Sequence, residues 1–468
     1  MGENPFRVES FRNLPEEALE ETYRNPHVEL PFDPKDLGMF LDRKGGAVNL
    51  RALDYHHRSA DLGVNTIIHE REGNRHQVYC QFDLKGSGFQ FPETYESKKS
   101  SIPRGMMANT PEAYMITGSQ ETPWGYEPLG LMDERSVQFT IEIAERLSVA
   151  GMRTEGIAAV YRLRRLVYDG KEMGTDEFKK INIERIVQMA RETKDPEGRK
   201  ELIAMAKDLK WNFEPVLMVR LLRSIFRIRD LNEEPEKKEA MIEEACQSLN
   251  NEAQGLGSTE RYDSKTPEGR EKWLKRIVRE LGKNAGILHQ QGLVHMFMHM
   301  GNLTLAGEIV DLDSVDTVAA ERVFRGKPEN KQVWLDKGDD SGPYRARPFF
   351  KETATGCTFI SPTIGLHQKP DARFGLPRCV TKDIRDLCFS VRGLTKSLRS
   401  NLLGKKLDTR DLAKELSRGY LEGLAGKTPL EALGVTPERL AEVFSEVARD
   451  VVERGNHYPP IPGDDEDV

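Results

Sequence analysis

The spacing of apolar residues changes at Asp133, from alternate positions to every third or fourth, and that change divides the chain into a β-rich front and a helical back. Upstream, Asn65–Glu70 and His76–Leu84 alternate apolar and polar residues on either side of the turn-forming Arg71–Arg75, which predicts a hairpin. From Lys85 to Gly130, Gly, Pro, Ser and Thr are frequent and periodicity is lost, so this stretch reads as loop. Asp133 to Val149 then sets Val137, Ile141, Ala144, Leu147 and Ser148 on one helical stripe, with Asp133 as N-cap and Gly151 just past the end. Gly156–Tyr168 reads as strand, and Thr175–Leu209 as a charged helical insertion broken at Lys194-Asp195-Pro196. After the short apolar and basic stretch Val216–Arg229, helices are expected over Glu236–Asn250, Pro267–Leu281, Lys382–Leu403, Thr409–Leu424 and Pro437–Arg454. Gly326–Pro377 reads as surface loop or a lid. These elements predict an α+β protein of two lobes: a β-rich N-lobe over 1–229 carrying the insertion near 175–210, a helical C-lobe over 230–462, and an acidic tail over 463–468.

Charge and cysteine usage narrow the function. Lys and Arg total 69 against 76 Asp and Glu, a net charge of −7, so no global positive field exists to hold a nucleic-acid backbone. The five cysteines, Cys80, Cys246, Cys357, Cys379 and Cys388, contain no C-x-x-C pair, which argues against a disulfide framework or a thiolate zinc site and for a reducing compartment. The acidic start lacks a signal-peptide apolar run and no 18-residue apolar stretch occurs, so the expectation is a soluble, cytoplasmic protein with no membrane partner. His56, His57, His69, His76, His289 and His295 lack the paired spacing with an intervening Glu that zinc hydrolases use, and they read as structural.

One segment carries chemistry. In Gln290–Val315, His295 stands seven residues before Asn302, followed by a β-like Leu303–Leu305, a turn at Ala306-Gly307, a β-like Glu308–Val310, and Asp311. This is the layout of a protein-kinase catalytic hairpin, where an Asn and a later Asp hold magnesium on nucleotide phosphates. Magnesium needs hard oxygen ligands in near-octahedral geometry, which Asn302 and Asp311 supply. The kinase base belongs five residues before the Asn, and Phe297 stands there; an aromatic ring accepts no hydroxyl proton.

These residues resemble the selenoprotein O family, protein-kinase-like enzymes that move adenylyl groups from ATP to protein side chains. The family's Asn, four residues, Gly, three residues, Asp is repeated as Asn302, Gly307 and Asp311. Its L-K-G-[AS]-G after a strand is similar to Leu84-Lys85-Gly86-Ser87-Gly88, and its R-L-x-x-S-x-x-R to Arg220-Leu221-Leu222-Arg223-Ser224-Ile225-Phe226-Arg227. The three blocks occur in the family's order between Gln81 and Asp311, about half of the chain. The resemblance implies a protein-kinase-like two-lobed fold, ATP and Mg²⁺ as cofactors, and Ser, Thr or Tyr hydroxyls of protein substrates as acceptors. It makes Lys85 catalytic, gives Gly86, Ser87, Gly88, Arg220 and Arg227 with Lys85 to the nucleotide, and gives Asn302 and Asp311 to the metal.

The chain also departs from the family. The Asp that precedes the family's magnesium Asn is Gly301 here, so catalysis would borrow a base from His299 or Asp313 or lean on deprotonation of the substrate itself. The helix Glu that pairs with the lysine falls on Thr140, with Glu145 the preferred substitute and Glu142 nearby. The family's selenocysteine or cysteine near the C-terminus is missing, since Cys388 is the last cysteine. Residue by residue other readings stay open: Lys85 as an exposed strand end, and Arg220 and Arg227 on a basic amphipathic helix with solvated guanidinium groups. The leading expectation is a nucleotidyltransferase that adenylylates proteins. The alternatives are a small-molecule or protein kinase, since His295 to Asn302 with Asp311 and Asp313 also looks like antibiotic- and choline-kinase loops, and a nucleotide-binding pseudokinase scaffold.

Overall fold

The computed structural model describes residues 11–13, 16–30, 38–40, 59–61, 66–72, 75–86, 120–122, 125–127, 131–168, 171–192, 194, 196–211, 213–233, 237–317, 321–324, 349–353, 356–360, 371, 373–398, 408–425, 430 and 435–456. Ser87 and Gly88, much of the expected loops over 85–130 and 326–377, and the acidic tail 463–468 lie outside the described residues.

The front half is built on one antiparallel sheet. Its strands are β1 (Leu19–Arg24), β2 (Ser59–Asp61), β3 (Gln81–Lys85), β4 (Met132–Asp133), β5 (Gly156–Leu163) and β6 (Pro215–Leu222). They lie in the order β1-β5-β6-β3-β2, with β4 pairing to the start of β6. The expected hairpin forms as Ile68–Glu72 against Arg75–Tyr79, but it ends at Cys80, whose N–H goes to the Leu222 carbonyl (2.9 Å) while its own carbonyl accepts from Thr66 (2.9 Å). There the chain leaves the hairpin and enters the main sheet as β3.

The central strand β6 reads PVLMVRLL and is buried along its whole length. A short apolar run does not distinguish strand from helix by period alone, and here it is a strand followed by loop, not the basic amphipathic helix that the arginine spacing also allowed. Its alternation assigns two faces. Leu217, Val219 and Leu221 join Phe82 and Leu84 under the helices α2 (Thr175–Glu192) and α3 (Pro196–Trp211), which contribute Phe178, Ile186, Ala206 and Leu209. The segment read as an insertion therefore covers one side of the sheet. Val216 and Met218 face the other way and join Ile157, Val160 and Val137 of α1 (Glu134–Val149). Arg220 opposes Asp83 and Met218 opposes Lys85 in the register, so these three charged residues share the α1 face. Helix α1 begins at the N-cap Asp133 and closes before Gly151 at φ +84, as its sequence predicts.

The back half packs α4 (Lys238–Gly255), α5 (Pro267–Gln290), α6 (Arg378–Ser397), α7 (Thr409–Gly423) and α8 (Pro437–Ala448) around one large core centred on Trp273, Leu281, Leu387 and Phe444. Helix α5 runs past the expected end at Leu281, through Gly282 and Gly286. Those glycines mark a close crossing with α7. A Cβ on Gly282 or Gly286 would lie 2.1 or 2.3 Å from the carbonyls of Leu416 and Tyr420, and one on Gly419 or Gly423 would lie 1.9 or 2.1 Å from those of Arg279 and Lys283. Gly419→Ala must push two helix backbones apart and is expected to cost about 1–3 kcal/mol or more in thermal unfolding. Gly174→Ala, with nothing within 4 Å of the new methyl, is the neutral control.

Candidate functional site

The segment after α5 folds as its spacing predicts. Thr304 N–H donates to the Glu308 carbonyl (3.0 Å), Val310 N–H donates to the Asn302 carbonyl (3.0 Å), and Gly307 turns at φ +80. A Cβ at Gly307 would meet Glu280 at 3.0 Å, so both the backbone conformation and the space require glycine. Helix α5 holds the turn: Trp273 Nε1 donates to the Leu305 carbonyl (3.1 Å) and Asn284 Nδ2 to the Gly307 carbonyl (2.8 Å). His295 Nε2 bonds the Val310 carbonyl (2.8 Å) across the hairpin's open end. Asp383 of α6 accepts the backbone N–H groups of His295 (2.6 Å) and Met296 (2.8 Å), which supports Met296 in its left-handed conformation at φ 69.

Lys85, at the end of β3 and only 3% exposed, reaches this hairpin across 226 residues of sequence. Its Nζ lies 3.0 Å from Asp311 Oδ1 and 3.2 Å from Asp313 Oδ2. Asp311 Oδ1 also accepts from Arg220 Nη1 (2.9 Å). Arg220 is fully buried, and its other carboxylate partners are Glu155 (2.8 Å, from the same Nη1) and Asp83. Burial alone would lower the arginine's pKa, yet Asp83, Glu155 and Asp311 together raise it well above its ordinary value. Arg220 thus grips carboxylates, and a phosphate contact would require it to release one. Arg227 is buried too: its Nη1 donates to the Gly301 carbonyl (3.1 Å) and its N–H to Asp230 (2.6 Å).

The loop before Asn302 holds the other expected residues. Asn302 Nδ2 donates to the Phe297 carbonyl (3.0 Å), and among the described residues its Oδ1 makes no hydrogen bond, which suits a hard oxygen ligand. The Phe297 ring is 38% exposed, with Lys382 Nζ 5.6 Å from its centroid. His299 caps the turn Met300–Asn302, its Nδ1 accepting the Gly301 N–H (3.1 Å), so the neutral ring carries its proton on Nε2. Although solvent reaches that ring, the surrounding protein first, and then the charge of Arg229, hold its pKa well below the ordinary histidine value. The Arg229 guanidinium covers Gly301: a Cβ there would lie 2.8 Å from it.

Helix α1 does not supply the lysine's partner. Glu145 is exposed and lines a small cavity with Glu70, Tyr79 and Glu155, and Glu142 is exposed as well. Thr140 is buried and donates to the Ser136 carbonyl (2.9 Å). Lys85 is met by Asp311 and Asp313 instead of Glu145. Gly86, next to Lys85, takes φ +88 with the Val216 carbonyl 2.5 Å from where a Cβ would stand, so the chain turns off β3 hard against β6.

No protein-family model matches this chain, and no curated protein does. One similar solved structure is the Toxoplasma gondii specific rhoptry antigen kinase domain, at 8% identity over 84% of this chain and 83% of that one, with a TM-score of 0.28. So loose a superposition bears on neither fold nor activity. The chain is mixed α/β, with an antiparallel sheet in its N-terminal half and helices in its C-terminal half.

The site also contains residues that the sequence did not announce. Asp83 stands two residues before Lys85 on the same strand, so alternation alone puts it on the lysine's face. Glu155 and Glu308 are buried carboxylates whose partners, Arg220 and Arg223, lie on or next to β6. Among the described residues no group of three or more His, Cys, Asp or Glu is gathered around a metal position. A magnesium ion here would rest on Asn302 and Asp311 and take its remaining oxygens from phosphates and water. No helix among the described residues is long and apolar enough to cross a membrane.

Proposed function

We propose that this chain is a kinase-like, ATP- and magnesium-dependent protein adenylyltransferase. The observation that carries the reading is the meeting of Lys85 from the sheet with Asp311 from the hairpin at 3.0 Å, beside an Asn302 whose amide nitrogen is pinned by the Phe297 carbonyl and whose Oδ1 makes no hydrogen bond among the described residues. A sheet-borne ammonium and two hard oxygens on facing elements suit a magnesium-bound polyphosphate: Asn302 and Asp311 would hold the ion, which would supply positive charge against the phosphates. Lys85 adds a second positive charge from a nearly water-free position, where electrostatic stabilisation is strongest. His295, through the Val310 carbonyl, and Asp383, through two backbone N–H groups, hold the loop that carries Asn302.

Transfer of the γ-phosphoryl group is the weaker alternative, because the position of the kinase base holds Phe297. A second reading, a nucleotide-binding scaffold without turnover, is favoured by two specific contacts. Arg229 covers the Gly301 position where the resembled family has its acid, and His299 Nδ1 is occupied by the Gly301 N–H. Incubation of the protein with a mixed pool of protein substrates and ATP labelled at the α- or the γ-phosphate tests all three. Adenylylation incorporates label from the α-position only, phosphorylation from the γ-position only, and a scaffold binds ATP and incorporates neither.

A further inference from the structure

We infer that Glu155 is a positioning residue for Asp311, holding the metal-binding carboxylate from the side of the β-sheet. This rests on the reading of Asp311 as a metal ligand. The Asp311 backbone lies at φ 64 and ψ 53, a left-handed conformation uncommon outside glycine, although aspartate and asparagine enter it more readily than other residues. Such a conformation persists where the surroundings over-determine it. The fully buried Glu155 supplies two of the restraints. Its Oε1 accepts the N–H of Leu312 (3.0 Å), the residue directly after Asp311. Its Oε2 accepts from Arg220 Nη1 (2.8 Å), and that same nitrogen donates to Asp311 Oδ1 (2.9 Å). One carboxylate therefore fixes both the backbone behind the ligand and the guanidinium that aims the ligand's side chain. Ser314 Oγ completes the hold by donating to the Asp311 carbonyl (2.8 Å).

Glu155 is itself rigidly placed. Thr154, just before it, pairs with Ile309 in a parallel bridge and donates its hydroxyl to the Ile309 carbonyl (2.5 Å). Gly156, just after it, pairs with Leu221 on β6. Glu155 is thus fastened on one side to the hairpin and on the other to the strand that carries Arg220. The cations that meet Asp311 Oδ1, Lys85 and Arg220, come from the sheet strands β3 and β6.

The probe is Mn²⁺ in the presence of ATP, with free and bound ion followed by electron paramagnetic resonance on the full chain, and metal-free ATP binding followed by calorimetry. Glu155→Gln keeps an acceptor for Leu312 but removes the charge that orients Arg220; it is expected to raise the Mn²⁺ half-saturation about tenfold while metal-free ATP affinity stays within about twofold. Glu155→Asp keeps the buried charge, so it protects the fold if the glutamine variant does not survive, and by withdrawing the carboxylate from Leu312 it is expected to weaken Mn²⁺ about threefold or more. A role limited to stability would shift neither constant in the folded protein. Unchanged Mn²⁺ half-saturation in the folded variants overturns the inference and leaves the nucleotide reading standing. Wild-type protein that binds no Mn²⁺ with ATP overturns both.

Discussion

Asp311→Asn is expected to raise the dissociation constant of magnesium–ATP about a hundredfold or more, because metal-centred charge stabilisation is typically worth several kcal/mol. The substitution is nearly isosteric and leaves no cation stranded: Lys85 keeps Asp313 at 3.2 Å, and Arg220 keeps Asp83 and Glu155. The loss then reads the metal and not a collapse of the site. With Asp311 neutral, Lys85 and Arg220 are also less compensated, so ATP without magnesium is expected to bind as well as before or better. Calorimetric titration with ATP in magnesium and in chelator separates the two effects. An Asp311→Asn protein that binds magnesium–ATP like the wild type would show that the hairpin holds no metal and that the Lys85 contact is structural.

How much of this was legible beforehand follows the range of the interactions involved. Asp133, Val137, Leu147 and Gly151 act within one helix, and their spacing predicts it. The Asn302 to Asp311 hairpin closes within ten residues, and its turn glycine announces it. The Lys85 site was reachable from a strand ending in a glycine-containing turn. By contrast, Arg220 meets Glu155, Asp311 and Asp83 at separations of 65, 91 and 137 residues, and no local period records such pairings. The arginine spacing in Arg220-Leu221-Leu222-Arg223-Ser224-Ile225-Phe226-Arg227 suits a helix face as well as a phosphate clamp. The structure instead puts Arg220 in a strand, Arg223 just beyond it and Arg227 in the following loop, each on a different set of protein acceptors. Gly282 and Gly286 made α5 look shorter than it is, since glycine in a helix is disfavoured until a crossing helix needs the space.

The fold's own stability is expected to depend most on Arg223. Its Nε donates to Glu252 of α4 (2.7 Å) and its Nη1 to Glu308 of the hairpin (3.2 Å), and its guanidinium carbon lies 4.8 Å from the centre of the Tyr79 ring. Three parts of the chain thus meet on one buried side chain. Arg223→Met retains much of the volume but strands Glu308 with only hydroxyl and backbone donors, Thr304 (3.0 Å), Ser224 N–H (3.1 Å) and the N–H of residue 223 (2.9 Å). Breaking a buried pair in this way costs about 3–5 kcal/mol. Lys in its place is not a rescue, because one ammonium cannot reproduce the guanidinium fork between Glu252 and Glu308. The acid dependence distinguishes lost pairing from a packing defect. Burial would raise Glu252, but Arg153 and Arg223 overcome it and bring its pKa down to about 2 from the ordinary 4.5. A depressed carboxylate adds stability that is present above 4.5 and is lost as pH falls toward 2. The gap between wild type and Arg223→Met in urea unfolding is therefore expected to be widest near neutrality and to narrow from pH 4.5 downward, for as long as the wild type remains folded. A gap that stays constant from pH 7 to pH 3 would assign the loss to packing around Tyr79 and not to the ion pairs.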